Sequence, residues 1–153
     1  MLRYTEVELS PYEIPGESSL NIYISGCLNH CPDCHYPELQ CPDFGEELTR
    51  YIANIVSLYE RFATCITFMG EGSCTDEEKA ELCGYAKKIH ERGMKAALYC
   101  GRDTEIESWM ENFDYVKIGS YQAEKGTLTQ KSTNQRLYKQ SQGEWTDITS
   151  VFW

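Results

Sequence analysis

Short apolar runs alternate with amphipathic segments along this chain, and each apolar run ends in a loop that carries glycine. That alternation limits the fold more than any single residue does. Leu20–Ser25 reads as a short strand, followed by a loop with Gly26, Pro32, Pro37, Pro42 and Gly45. From Glu46 to Phe62 the apolar residues Leu48, Tyr51, Ile52, Ile55, Leu58, Tyr59 and Phe62 fall at the spacing of a helix with one buried face. Cys65–Met69 reads as a buried strand stopped by Gly70 and Gly72. Thr75–Arg92 predicts a second helix, with Leu82, Tyr85, Ala86 and Ile89 on one stripe and Gly93 as its cap. Lys95–Cys100 predicts a third strand, Thr104–Asn112 a short helix, and Asp114–Ile118 a fourth strand before Gly119. Strands alternating with helices argue for βαβ units and a parallel sheet. In such architectures the carboxyl ends of the strands form the ligand face. The loops at Gly26, Gly70–Gly72 and Gly101–Arg102 are therefore expected on one rim.

Beyond Gly119 the pattern changes. Residues 122–135 are polar, rich in Thr, Gln and Lys, and read as an exposed loop. The stretch 136–153 holds Tyr138, Trp145, Phe152 and Trp153, and reads as a tail held down by burial or by a partner. The length of 153 residues predicts one domain over residues 1–153, large enough for a real core. Net charge is −10, from 14 basic and 24 acidic residues, which argues against a nucleic-acid partner. No run approaches the roughly 18 consecutive apolar residues of a membrane span. The first residues lack the apolar core of a secretion signal, and eight cysteines in a chain this long do not suit a small disulfide scaffold. A reducing, cytoplasmic location with free thiols is expected.

Chemistry concentrates in Cys27, Cys31 and Cys34, spaced CxxxCxxC directly after the first predicted strand. Three thiolates this close can hold one iron–sulfur cluster and leave one iron without a protein ligand. The alternative is a closed metal module in which Cys41, seven residues past Cys34, supplies a fourth thiolate. Zinc ribbons, however, place their second cysteine pair about 15–20 residues on. Cys65, Cys74, Cys83 and Cys100 belong to no motif, and Cys65, Cys83 and Cys100 read as small buried apolar residues.

The CxxxCxxC loop, the βα pattern and the glycine–acidic loop Gly70-Glu71-Gly72 resemble the radical S-adenosylmethionine superfamily. Within it the chain is similar to the family of activating proteins of anaerobic ribonucleoside-triphosphate reductases. The stretches carrying this are Ser25–Cys27, Phe68–Gly70, Tyr99–Arg102, Phe113–Gly119 and Ser132–Tyr138. The resemblance implies an α/β fold, a partial, open βα barrel of about four to six parallel strands with helices outside. It implies a [4Fe–4S] cluster on Cys27, Cys31 and Cys34, with S-adenosylmethionine on the fourth iron. Reductive cleavage would yield a 5′-deoxyadenosyl radical, which would take a hydrogen from a glycine of the reductase large subunit. A low-potential donor such as flavodoxin or ferredoxin would supply the electron. Cluster and S-adenosylmethionine carry that chemistry, so no side-chain acid or base is expected.

The implied S-adenosylmethionine contacts are Gly70, Glu71 and Gly72, with Tyr99 and Lys117 added because both lie near carboxyl ends of strands. Packing for Tyr99 and a surface charge for Lys117 are the plainer alternatives. Two departures stand out: Asp33 occupies a position that is often aromatic in the superfamily, and the acidic residue of the glycine loop is displaced by one, to Glu71. His30 and His35 flank the cysteines and read as loop residues, and His90 sits at a helix end. Four βα units cannot close a barrel, which takes eight units and about 250 residues. The open side would be closed by a protein substrate. Alternative targets are another glycyl-radical enzyme, or a small-molecule or peptide substrate.

Overall fold

The computed structural model describes residues 1–26 and 45–153. Eight described strands form one sheet: β1 (Arg3–Ser10), β2 (Ser19–Ile24), β3 (Glu46–Glu47), β4 (Cys65–Met69), β5 (Lys95–Tyr99), β6 (Tyr115–Ile118), β7 (Arg136–Ser141) and β8 (Glu144–Asp147). Their order is β3-β1-β2-β4-β5-β6-β7-β8. The central strands β2, β4, β5 and β6 run parallel to one another. The flanking strands are antiparallel, β1 to β2 on one side and β7 to β6 on the other. Two α-helices are described, α1 (Leu48–Tyr59) and α2 (Asp76–Glu91), and the segment expected as a third helix is a 3-10 turn, Ser108–Asn112.

The expected βα barrel is therefore wrong. The described chain forms a small mixed sheet of eight strands with two helices, not a ring of parallel strands inside a ring of helices. Four strands missing from the sequence reading, β1, β3, β7 and β8, cause the difference. In β1 the side chains of Tyr4 and Val7, three residues apart, both pack on the helix-covered core, and the register shifts between them. A bulge of this kind breaks the period of two that marks a strand. β7 and β8 form a hairpin closed by Gln142 and Gly143, whose φ angles of +50° and +83° suit a mirror-image two-residue turn. Gln in place of the usual Asn or Asp hides that turn from a sequence reading.

The parallel strands put alternate side chains on two faces. One face carries Leu20, Ile22, Ile24, Ile66, Phe68, Leu98 and Val116, and packs on α1 and α2 through Leu48, Ile52, Ile55, Leu82 and Ile89. Each fully buried side chain of this size contributes about 1.5–3 kcal/mol. Thr75 caps α2 by accepting from the backbone N–H of Glu78 at 3.2 Å, and Asp76, Glu77 and Glu78 complement the positive end of the helix. The opposite face carries Cys65, Ala97, Tyr115 and Leu137, covered by Ile14 from the β1–β2 loop and by Ile148 and Phe152 from the tail. The interior a barrel would enclose is thus filled here by the chain's own loop and tail. No described helix is long and apolar enough to cross a membrane.

Candidate functional site

The carboxyl edge of the parallel strands gathers Gly26, the Gly70–Cys74 loop, Cys100–Arg102 and Gly119. Cys27, Cys31 and Cys34, with Cys41, His30 and His35, lie outside the described residues. The residue before the motif does not. Gly26 has φ +91°, and a Cβ added to it would lie 3.4 Å from Ser73 Oγ and 3.5 Å from the Gly72 backbone. Gly72, at φ +67°, is tighter still: a Cβ there would come within 2.6 Å of Leu2 and 2.8 Å of Glu78. Gly26, the last described residue before the motif, therefore packs against the glycine–acidic loop. Glu78 anchors that loop to α2, since its Oε1 accepts from Ser73 N at 3.1 Å and from Thr75 Oγ1 at 3.2 Å.

Glu71 is buried, and its carboxylate is fully engaged. Arg102 donates to it twice, Nε to Oε2 at 2.8 Å and Nη2 to Oε1 at 3.0 Å. The Cys74 thiol donates to Oε2 at 3.7 Å. Arg102 also donates to both oxygens of Glu107, at 2.8 and 3.2 Å, and Trp109 Nε1 donates to Glu107 Oε1 at 2.8 Å. Bidentate guanidinium–carboxylate pairs are among the strongest polar contacts in proteins. The two carboxylates raise the Arg102 pKa, and Arg102 and Trp109 hold that of Glu107 down at about 2. Burial raises the Cys74 thiol, and pushes Cys100 up to about 12.

Tyr99 and Lys117 lie elsewhere. They are register partners on neighbouring strands, on the face away from the helices. The Tyr99 hydroxyl donates to the Glu13 carbonyl, and burial raises its pKa. Lys117 is buried, donates to the Gly119 carbonyl at 2.9 Å, and its Nζ sits 5.7 Å from the Tyr99 ring centre. The structure thus brings Tyr99 to Lys117, and the Gly70–Gly72 loop to Gly26. The Glu71 side chain goes to Arg102 and, with Cys100 and Trp109, to the helix side. Arg102 is the edge residue the sequence reading left without a role. Its signal was an arginine two residues past a strand, within reach of a lone acidic residue in the neighbouring loop.

Among the described residues no group of three or more His, Cys, Asp or Glu side chains is arranged to hold a metal ion. Comparison of the chain with protein-family models, with curated proteins and with solved structures found no match in any of the three.

Proposed function

We propose that this chain is a radical S-adenosylmethionine activase that generates a glycyl radical on the large subunit of an anaerobic ribonucleotide reductase. One observation carries the reading. The CxxxCxxC motif begins at the residue after Gly26, which abuts Gly72 of the glycine–acidic loop. The loop expected to meet S-adenosylmethionine thus lies beside the residue that precedes the motif in the sequence.

Cys27, Cys31 and Cys34 would hold a [4Fe–4S] cluster. When bound, cluster and S-adenosylmethionine supply one-electron cleavage chemistry that side chains cannot. The rest of the edge fits a supporting part. The thiolate is the form that binds iron. Cys65 and Cys100 are pushed up to about 12, and Cys74 and Cys83 are raised, mainly by burial. With its carboxylate held by Arg102, Glu71 stiffens the loop, and backbone groups of Gly70–Gly72 are left to meet the amino group of S-adenosylmethionine. A low-potential flavodoxin or ferredoxin in the cytoplasm would supply the electron.

The test is anaerobic. The chain is reconstituted with iron and sulfide, reduced, and its EPR spectrum recorded with and without S-adenosylmethionine. A reduced-cluster signal that changes on addition supports an open iron. A colourless zinc protein, or a cluster blind to S-adenosylmethionine, sinks the reading and favours the four-cysteine module.

A further inference from the structure

The two faces of the parallel strands differ in kind. On the helix-covered face, Leu20, Ile22, Ile66 and Phe68 of β2 and β4 are apolar. The alternate positions of the same two strands put Ser19, Asn21 and Thr67 on the opposite face, each fully buried. Thr67 Oγ1 lies 2.6 Å from Ser19 Oγ, which donates to Asn21 Oδ1 at 2.8 Å. Asn21 Nδ2 is left without a hydrogen-bond partner. A face buried for good is expected to be apolar or fully hydrogen-bonded, and this part of the sheet is neither.

Residues 11–18, between β1 and β2, lie along β5 on that second face. At one end the Tyr99 hydroxyl donates to the Glu13 carbonyl. In the middle Ile14 joins the apolar cluster of Ala97 and Cys65. At the other end Lys95 Nζ donates to Glu17 Oε2 at 2.9 Å. Glu17 is the latch, since its Oε2 also accepts from the Tyr115 hydroxyl at 2.9 Å and its Oε1 from Thr64 Oγ1 at 2.7 Å. Within the segment, Pro15 and Gly16 fill a turn closed from Glu17 N to the Ile14 carbonyl at 3.1 Å, with Gly16 at φ +79°. The segment thus carries its own shape. Its hold on the sheet is slight: Ile14 is its one buried apolar side chain, and Glu13 Oε2 is buried without a partner. Uncompensated buried polar atoms weaken the closed position.

We infer that residues 11–18 form a strap that opens as one unit while the sheet and both helices stay folded, and so gates access to the second face. Segments with few buried apolar contacts open at a free energy well below that of global unfolding. The inference goes beyond the activase reading and does not depend on it. Cys65 is a built-in reporter. It is fully buried on the strap side, and its backbone N–H donates to the Ser18 carbonyl at 3.3 Å. The tail that also covers this face is bonded to Leu137 of β7, three strands from Cys65. Cys100 is equally buried but belongs to the helix-side core, so it reports opening of the fold itself.

The test is pulsed alkylation of the full chain with iodoacetamide at several urea concentrations below the unfolding transition. Peptide mass spectrometry reads each cysteine, and rates are divided by those of the urea-unfolded chain. Cys65 should label at least about tenfold faster than Cys100, with a shallow dependence on urea, because only a small surface is exposed on opening. Glu17→Ala should speed Cys65 by about tenfold, the worth of one charge-assisted hydrogen bond, and Tyr99→Phe by about fivefold, the worth of a neutral one. Cys100 should be unchanged in both. Tyr99 decides the matter, because in the strand register it lies four residues from the partner of Cys65, at the far end of the strap. Three results would overturn the inference: equal rates and urea dependence for the two cysteines, no response of Cys65 to Tyr99→Phe, or variants that speed both cysteines alike. The labelling needs neither cluster nor S-adenosylmethionine, so its failure leaves the EPR test of the activase reading untouched.

Discussion

The Arg102 guanidinium, about a third exposed, lies between the carboxylates of Glu71 and Glu107. Removing it strands the buried Glu71 charge. Arg102→Leu should therefore lower the unfolding free energy by about 2–3 kcal/mol, the cost of breaking a buried pair discounted for partial solvation. Urea denaturation measures this, and a loss under about 0.5 kcal/mol would mean that water replaces the guanidinium. Glu107 gives the pair a pH signature. Its pKa falls from 4.5 to about 2 on folding, so below pH 4.5 the unfolded chain binds more protons than the folded one. Its contribution is thus present above pH 4.5 and is lost as pH falls toward 2. Glu107→Gln should flatten the acid side of the Tm–pH curve. The slope at neutral pH should not change. An unaltered acid limb would place the acid sensitivity on other carboxylates.

Two elements owe their form to local signals of different legibility. The start of α2 was readable, because Thr75 with three acidic residues after it is a strong helix-start pattern. The β7–β8 hairpin was not, because Gln142 and Gly143 take positive φ without the usual Asn-Gly pair. Gly143→Ala should cost about 1 kcal/mol by placing a Cβ at φ +83°. Gln142→Asn should instead be neutral or stabilising by a few tenths of a kcal/mol, since Asn tolerates the left-handed region better. Thermal melts of the two variants should move in these different directions. A shared loss would show that the Gln142 side chain matters beyond the turn.

Across the whole molecule, a four-stranded parallel centre is flanked by antiparallel strands, and one face is sealed by Ile14, Ile148 and Phe152. The reading proposed for this chain takes Cys27, Cys31 and Cys34, and not Cys41, as the cluster ligands. On this reading Cys41→Ala retains iron and a response to S-adenosylmethionine, whereas Cys31→Ala loses both. Iron analysis and EPR separate the two, and loss of iron in Cys41→Ala would favour the four-cysteine module. The local parts of this design were open to a sequence reading. Leu20–Ile24, Cys65–Met69 and the stripes of α1 and α2 follow from hydrophobic period, and the cysteine spacing needs no fold to be recognised. Period reports only which face of an element is buried, so it gave parallel strands and helices but not the architecture. The bulged β1, the β7–β8 hairpin and the loop lying on the second face are long-range choices, and they turn an expected barrel into a mixed sheet. The partner of Glu71 was equally hidden. A carboxylate 31 residues from its guanidinium becomes its neighbour only when β4 and β5 pair in register. The tertiary structure alone decided that contact, because charge pairing at such separation follows from strand order and not from the sequence around either residue.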